Sequence, residues 1–403
     1  MLTALLFLLP ALAAAAPARK QAIGANYFQT NGFAGNQLVA NYIAADGTLV
    51  AGSAVWTGGN GSASINAPGP MVNHPDPLVS SNSVIVVNSQ VLTVNGGSNT
   101  FSVFDIDAAD PAKPALSAVY PTFGEFPNSL GASKDGKTVC VLNAGKVNGF
   151  ACYAAGASGW EHLPGWDRTF GLNLPTPPIN FFGTPSSITF AADGSALHVA
   201  VKGRPPTDPS NPTGQLEPGA VFSYAISGTG ADATLAAQPT KTPAGIPFAL
   251  VEDVSSPGAF VAPDPATGYA AFRFGANASA VTGTLAGQMA TCWAAQSPLT
   301  RSVYLVDAGT NNVTEVAVDP ATLMGTVRAH HHLGTNATIT DVAIGHRGTY
   351  DLMYVLAPGY RAIRAFKISG PGKFKLIQRF EHGDLPKETV LSMGFNGQAV
   401  FWK

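Results

Sequence analysis

One short pattern recurs and limits the folds open to this chain: an apolar run, an Asn, a Gly, a few polar residues, and a returning apolar run. It occurs in VLTVNGGSNTFSVFDI, with Asn95 and Gly96, and again in VCVLNAGKVNGFACY, with Asn143 and Gly145. Val, Phe and Tyr suit a pleated, half-buried surface, while Gly and Asn accept the positive φ of a tight turn, so each copy reads as a β-hairpin. From Asn95 to Asn143 the period is about 48 residues. An all-strand recurrence of that length predicts four strands per repeat, the blade of a β-propeller.

The pattern continues along the chain. Ala25–Asn31 and Gln37–Ala44 form a first strand pair, with an outer strand at Val50–Thr57 and a Gly/Ser/Pro-rich loop to Pro77. Further units begin near Ser83, Glu125, Ser186, Pro247, Gln288 and Thr338, giving seven blades. The first unit lacks an inner strand, and the strand-like Thr389–Trp402 is left without a blade. The expected fold is therefore all-β, a seven-bladed β-propeller whose ring is closed by pairing of the N- and C-terminal segments, which removes an open sheet edge. Residues 19–403 form a single propeller domain with loop insertions at 156–183 and 204–218.

Met1–Ala16 reads MLTALLFLLPALAAAA, an apolar stretch too short to span a bilayer and followed by small residues. Residues 1–18 are expected to be a signal peptide, and the protein to be secreted, extracellular or cell-wall associated. Charged residues make up 11% of the chain and the formal net charge is −2. Without a basic stripe, nucleic acid and anionic membranes are not expected partners. Cys140 and Cys152 flank one hairpin turn and are expected to form a disulfide, the alternative being two buried thiols. Cys292 is left over as a small buried residue. Asn60, Asn277, Asn312 and Asn336 head glycosylation sequons.

Antiparallel strands place the start of an inner strand and the end of the next one at the same end of the channel. On that basis Glu125 is expected near Asn31, Asn95, Asn143, Lys202, Arg273 and Asp307. Lys202 and Arg273 would hold a carboxylate or polarise a carbonyl, and Glu125 or Asp307 would act as general base. Asn95, Asn143, Arg168 and His74 are ligand-binding candidates around the same mouth. The competing reading is that Asn and Asp end strands because they make turns. His330 and His332 share a strand face but lack an evident third ligand, so no metal and no cofactor is expected. His198 is expected to pack within its strand. Arg168, Asn173 and Thr176 belong to a Pro-stiffened loop that could cap the channel, or present Trp160 and Trp166 to a glycan.

The segments VNGGSNTFSVFDID (Val94–Asp107), GEFPNSLGASKDGKTVCVLNAGKVNGFACY (Gly124–Tyr153), FGLNLPTPP (Phe170–Pro178) and SSITFAADGSALHVAVKG (ending at Gly203) carry a family likeness. The chain resembles the secreted fungal seven-bladed propellers related to 6-phosphogluconolactonase and 3-carboxymuconate cyclase. That resemblance implies a lactonase-like fold. The lactonases open an inner strand with a Pro-His pair, whereas the matching stretches here are Gly124-Glu125-Phe126-Pro127, Thr184-Pro185-Ser186-Ser187, Pro247-Phe248 and Ala290-Thr291-Cys292-Trp293, without histidine. The expected function is binding of a small polar or carboxylate ligand at the channel mouth, without the histidine chemistry, in extracellular binding or adhesion. The alternative is an extracellular isomerase, cyclase or hydrolase acting on a lactone or muconate-like carboxylate. Expected partners are a small carboxylate, lactone or glycan, or a host or cell-surface protein.

Overall fold

A computed structural model describes residues 22–66, 71–72, 75–208, 211, 213–215, 217–253, 258–275, 278–383, 385 and 393–403. The leader at 1–18, His74 and Asn277 lie outside the described residues.

Seven antiparallel sheets of four or five strands follow one another along the chain. Blade 2 begins at Val84–Val87, blade 3 at Pro127–Ala132, blade 4 at Pro185–Phe190, blade 5 at Val251–Glu252, blade 6 at Thr291–Gln296 and blade 7 at Val342–Arg347. Blade 1 takes its inner strand from the far end of the chain. Asn396–Trp402 pairs antiparallel with Gly24–Gln29, followed outward by Gln37–Ile43 and Leu49–Trp56. The ring closes as the unmatched C-terminal run requires.

Burial along the strands follows from position within a blade. Second strands such as Thr138–Asn143 and Ala196–Val201 are buried at nearly every position, because both faces meet a neighbouring blade. Outer strands alternate instead: Leu49–Trp56 and Gly325–His332 keep one face in solvent. Seven apolar clusters fill the spaces between successive blades. Val94, Phe101, Val141 and Tyr153 lie between blades 2 and 3, for example, and Phe28, Leu356 and Ile363 join blade 7 to blade 1. Each blade thus buries its two faces against different neighbours, so closure of the ring completes the core.

Inner strands crowd the axis and use small residues. A Cβ on Gly131 would lie 2.6 Å from the Ile188 carbonyl oxygen, so the inner strands of blades 3 and 4 pass at a distance that only glycine permits. Cys140 and Cys152 face each other directly in the register of blade 3 and are joined as a disulfide. His198 is buried, with Nδ1 2.7 Å from Ser223 Oγ and its ring stacked on Phe274 at 4.3 Å. Burial pulls its pKa down to about 4.

Candidate functional site

The end of the ring where inner strands begin is here called the upper end. Glu125, just before Pro127–Ala132, falls there, as do the second-strand ends at Asn95, Asn143, Lys202 and Asp307. Arg273 does not. It ends the third strand of blade 5, Gly268–Arg273, and pairs with Ala259 at the start of the second strand, which puts it at the lower end. Its Nη2 donates to the Pro320 carbonyl at 2.6 Å. The expected trio of Glu125, Lys202 and Arg273 is therefore split between the two ends of the ring.

The upper end of the channel is filled by the chain itself. Residues 75–83, the approach to blade 2, run across and down into the axis. Ser80 Oγ donates to Asn128 O of blade 3 at 2.6 Å, and the Ser81 amide donates to Ser186 O of blade 4 at 2.9 Å. Trp293 Nε1 of blade 6 donates to Ser80 O at 3.1 Å, and Asn396 Nδ2 of the closing strand donates to Asp76 Oδ1 at 2.8 Å. Leu78 and Val79 are fully buried. Val79 has φ 51°, a left-handed conformation that a β-branched residue rarely adopts, and its carbonyl accepts from Lys202 Nζ.

Lys202 is the cation of this closure, only 2% exposed. Its ammonium lies 4.5 Å from the Phe181 ring centroid and 4.7 Å from that of Phe248, two rings stacked 5.4 Å apart. Burial pulls its pKa down, opposed by the charge of Asp76; burial pushes the Asp76 carboxyl up, opposed by Lys202. Asp341, whose Oδ2 accepts from the Gly397 amide at 3.0 Å, is also pushed well up, first by burial and then by Asp76. Cys292 beside them is raised by the same burial, so its thiol is not an activated nucleophile. Sequence reasoning found Lys202 but missed Asp76 and Asp341. The signal was the Asp76 flanked by two prolines in a loop with no assigned strand.

Other candidates are committed to partners within the fold. Asp307 accepts from the amides of Met289, Ala290, Gly309 and Thr310, all within 3.1 Å, so its role is to cap turns. Asn95 is fully buried, accepting from Thr57 Oγ1 at 2.7 Å and donating to Ser102 Oγ at 2.8 Å. Asn143 donates to Thr122 O at 3.0 Å. Arg168 donates from Nε to Ala236 O at 3.0 Å and from Nη2 to Leu235 O at 2.6 Å, tying its loop to blade 4. Trp160 and Trp166 are buried as packing residues. Glu125 is part-exposed and accepts from Thr176 Oγ1. The loop at 156–183 thus covers part of the upper end: the Ile65 amide donates to Pro178 O, and Phe181 closes over Lys202.

Beside the closed axis, one cleft lies at the mouth. It has about 420 Å³ and runs from Lys202 outward over blade 4. Asn173, Lys202, Arg204, Glu217, Phe222 and Lys241 are among its walls. Arg204 Nη1 stands 4.0 Å from Glu217 Oε2, and Lys241 Nζ lies 4.5 Å from the Phe222 centroid. Arg204 and Lys241 against the one carboxylate of Glu217 give the cleft a positive character.

No protein-family model matches the sequence, and no curated protein matches it significantly. Solved structures do. A candidate 6-phosphogluconolactonase of Bacteroides fragilis superposes with TM-score 0.63 at 15% identity, covering 94% of this chain and 98% of that one. A counterpart from Bacteroides uniformis gives 0.59 at 15%, covering 88% and 95%. The periplasmic gluconolactonase of Pseudomonas aeruginosa gives 0.57 at 15%, covering 88% and 99%. These likenesses define the class as a seven-bladed propeller of lactonase-like fold. At such identity they speak for the fold alone.

Proposed function

We propose that this chain is a secreted binding propeller that takes a small carboxylate ligand in the cleft over blade 4, without lactonase-type histidine chemistry. The observation that carries the reading is the closure of the upper channel by residues 75–83, beside a cleft of about 420 Å³ lined by Lys202, Arg204 and Lys241. A channel blocked by the chain's own backbone leaves no room for a substrate against Lys202, so recognition falls to the cations beside it. The leader-like sequence at 1–18 and the Cys140–Cys152 disulfide support an extracellular setting. In that setting the exposed sequons Asn60 and Asn336 would carry glycans.

Equilibrium titration with gluconate and cis,cis-muconate tests the reading, with glucose as the neutral control. Binding should weaken about tenfold or more in Arg204→Ala and in Lys241→Ala, the scale of one charged hydrogen bond. A parallel assay with gluconolactone should show no hydrolysis above the uncatalysed rate. Turnover of the lactone that is lost in Glu125→Gln would replace this proposal with the hydrolase alternative.

A further inference from the structure

Arg364 and Arg379 stand directly opposite each other on the two outer strands of blade 7, Ala362–Gly370 and Lys373–Glu381. Like charges at directly opposed positions destabilise a sheet unless something offsets them. Neither guanidinium forms an ion pair among the described residues. Arg364 is 4% exposed, and its Nε and Nη1 are buried without any hydrogen-bond partner. Its charged group lies 5.0 Å from the Tyr360 ring centroid, which covers one face but satisfies no N–H. A buried guanidinium with idle donors is costly, and native structures meet such a group with water, an ion or a ligand.

Both arginines line a cavity of about 260 Å³ between blades 6 and 7. His330, His331 and His332, the end of the outer strand of blade 6, form the opposite wall, with Leu333, Phe366 and Leu376 as apolar surface. The three histidines, unabsorbed by any metal site, thus border this cavity. His330 Nδ1 is 3.0 Å from Thr314 Oγ1 and His332 Nδ1 is 3.3 Å from Asn312 Oδ1, whereas His331 Nε2 is buried with no partner. Buried polar atoms without a partner therefore come from both walls. The space far exceeds the ~30 Å³ of a water molecule and approaches the size of small-molecule sites.

We infer that this cavity is a second ligand site, which takes an oxyanion group (carboxylate, sulfate or phosphate) carried on a small organic body. Arg364 brings its guanidinium to the wall of the cavity as the first charge for the anion, as guanidinium does for carboxylate and phosphate, and Arg379 adds the second. Phe366, Leu376 and Leu333 meet the carbon skeleton. The site is two blades removed from the cleft over blade 4 and does not depend on it.

The test uses ligand-observed NMR on full-length protein carrying Arg204→Ala and Lys241→Ala, so that the first cleft does not contribute. The probes are glucuronate, inorganic phosphate, sulfate and neutral glucose. Glucuronate should bind saturably and be displaced by phosphate or sulfate, while glucose should not bind. Adding Arg379→Ala, an exposed position, should weaken glucuronate about tenfold or more, and Arg364→Gln should do the same. Lys375→Ala, on the same strand but outside the cavity, should change nothing. Should Arg364→Gln fail to fold, Arg379→Ala alone decides. Absence of saturable glucuronate binding, or affinity unchanged in Arg379→Ala, overturns the site. Phosphate or sulfate binding without glucuronate overturns its assignment to an organic ligand.

Discussion

The Lys202 ammonium donates its hydrogen bond to the carbonyl of Val79, a residue 123 positions earlier in the chain. One charged group of blade 4 thereby holds a left-handed turn of the segment that fills the axis. Lys202 has a structural task, and its substitution should be felt in stability before it is felt in binding.

Lys202→Met should destabilise the protein by about 3 kcal/mol, from loss of a charged hydrogen bond and of the contact with Phe181 and Phe248. It also leaves Asp76 without its nearby cation. Asp76→Asn in the same chain should recover part of the loss, because the neutral amide needs no counter-charge. Urea unfolding of the two single variants and the double variant measures the coupling. Strict additivity would show that Asp76 and Lys202 do not act together.

His198 supplies a pH prediction. Its folded pKa of about 4 lies below the ordinary histidine value of about 6.5. The unfolded chain therefore binds the extra proton first, and stability falls as pH drops from 6.5 toward 4. Above 6.5 the contribution is fully present; below 4 it is gone, a change of roughly 3 kcal/mol. His382, buried against Phe28 and also pulled down to about 4, acts in the same window. His198→Gln should flatten the pH dependence of unfolding free energy between pH 4 and 6.5, with the double variant His198→Gln/His382→Gln flatter still.

Removing the blade 3 disulfide with Cys140→Ala and Cys152→Ala should cost about 2–3 kcal/mol. The two residues are 12 apart in sequence, and short loops give the smaller cross-link terms. Thermal unfolding of the variant against the parent measures it. An unchanged midpoint would mean that the hairpin already constrains the unfolded chain.

Ending the chain at Phe395 deletes the strand Asn396–Trp402 and leaves Gly24–Gln29 as an open inner edge. The truncated protein should lose cooperative unfolding and aggregate, as judged by calorimetry and light scattering. A soluble, cooperative truncation would show that the ring does not depend on closure.

Much of this architecture is legible in the sequence because strand and turn chemistry are local. Asn95, Asn143 and the Val-rich runs before them mark second strands whatever surrounds them. The orphan run at the C-terminus foretold closure for the same reason. Arg273 was misplaced because a strand end alone does not say which strand of a blade it ends, and third strands finish at the lower end. The plug at 75–83 stayed hidden because Pro75-Asp76-Pro77 reads as an ordinary connection. Its contacts with Asn128, Ser186, Trp293 and Asn396 are made by residues remote in sequence. Arg364 and Arg379 carry no motif either; only the register of their strands sets them face to face.

The plug also imposes an order of assembly. Residues 75–83 leave the ribosome after blade 1 has three of its strands and before most of the groups that grip them exist. Asn128, Ser186, Lys202 and Trp293 arrive one after another, and Asn396 arrives last with the strand that shuts the ring. The segment therefore gains its full set of contacts only when the ring is shut. The later blades come off the ribosome with this mandrel already made, and the sequence has placed the axle ahead of the wheel.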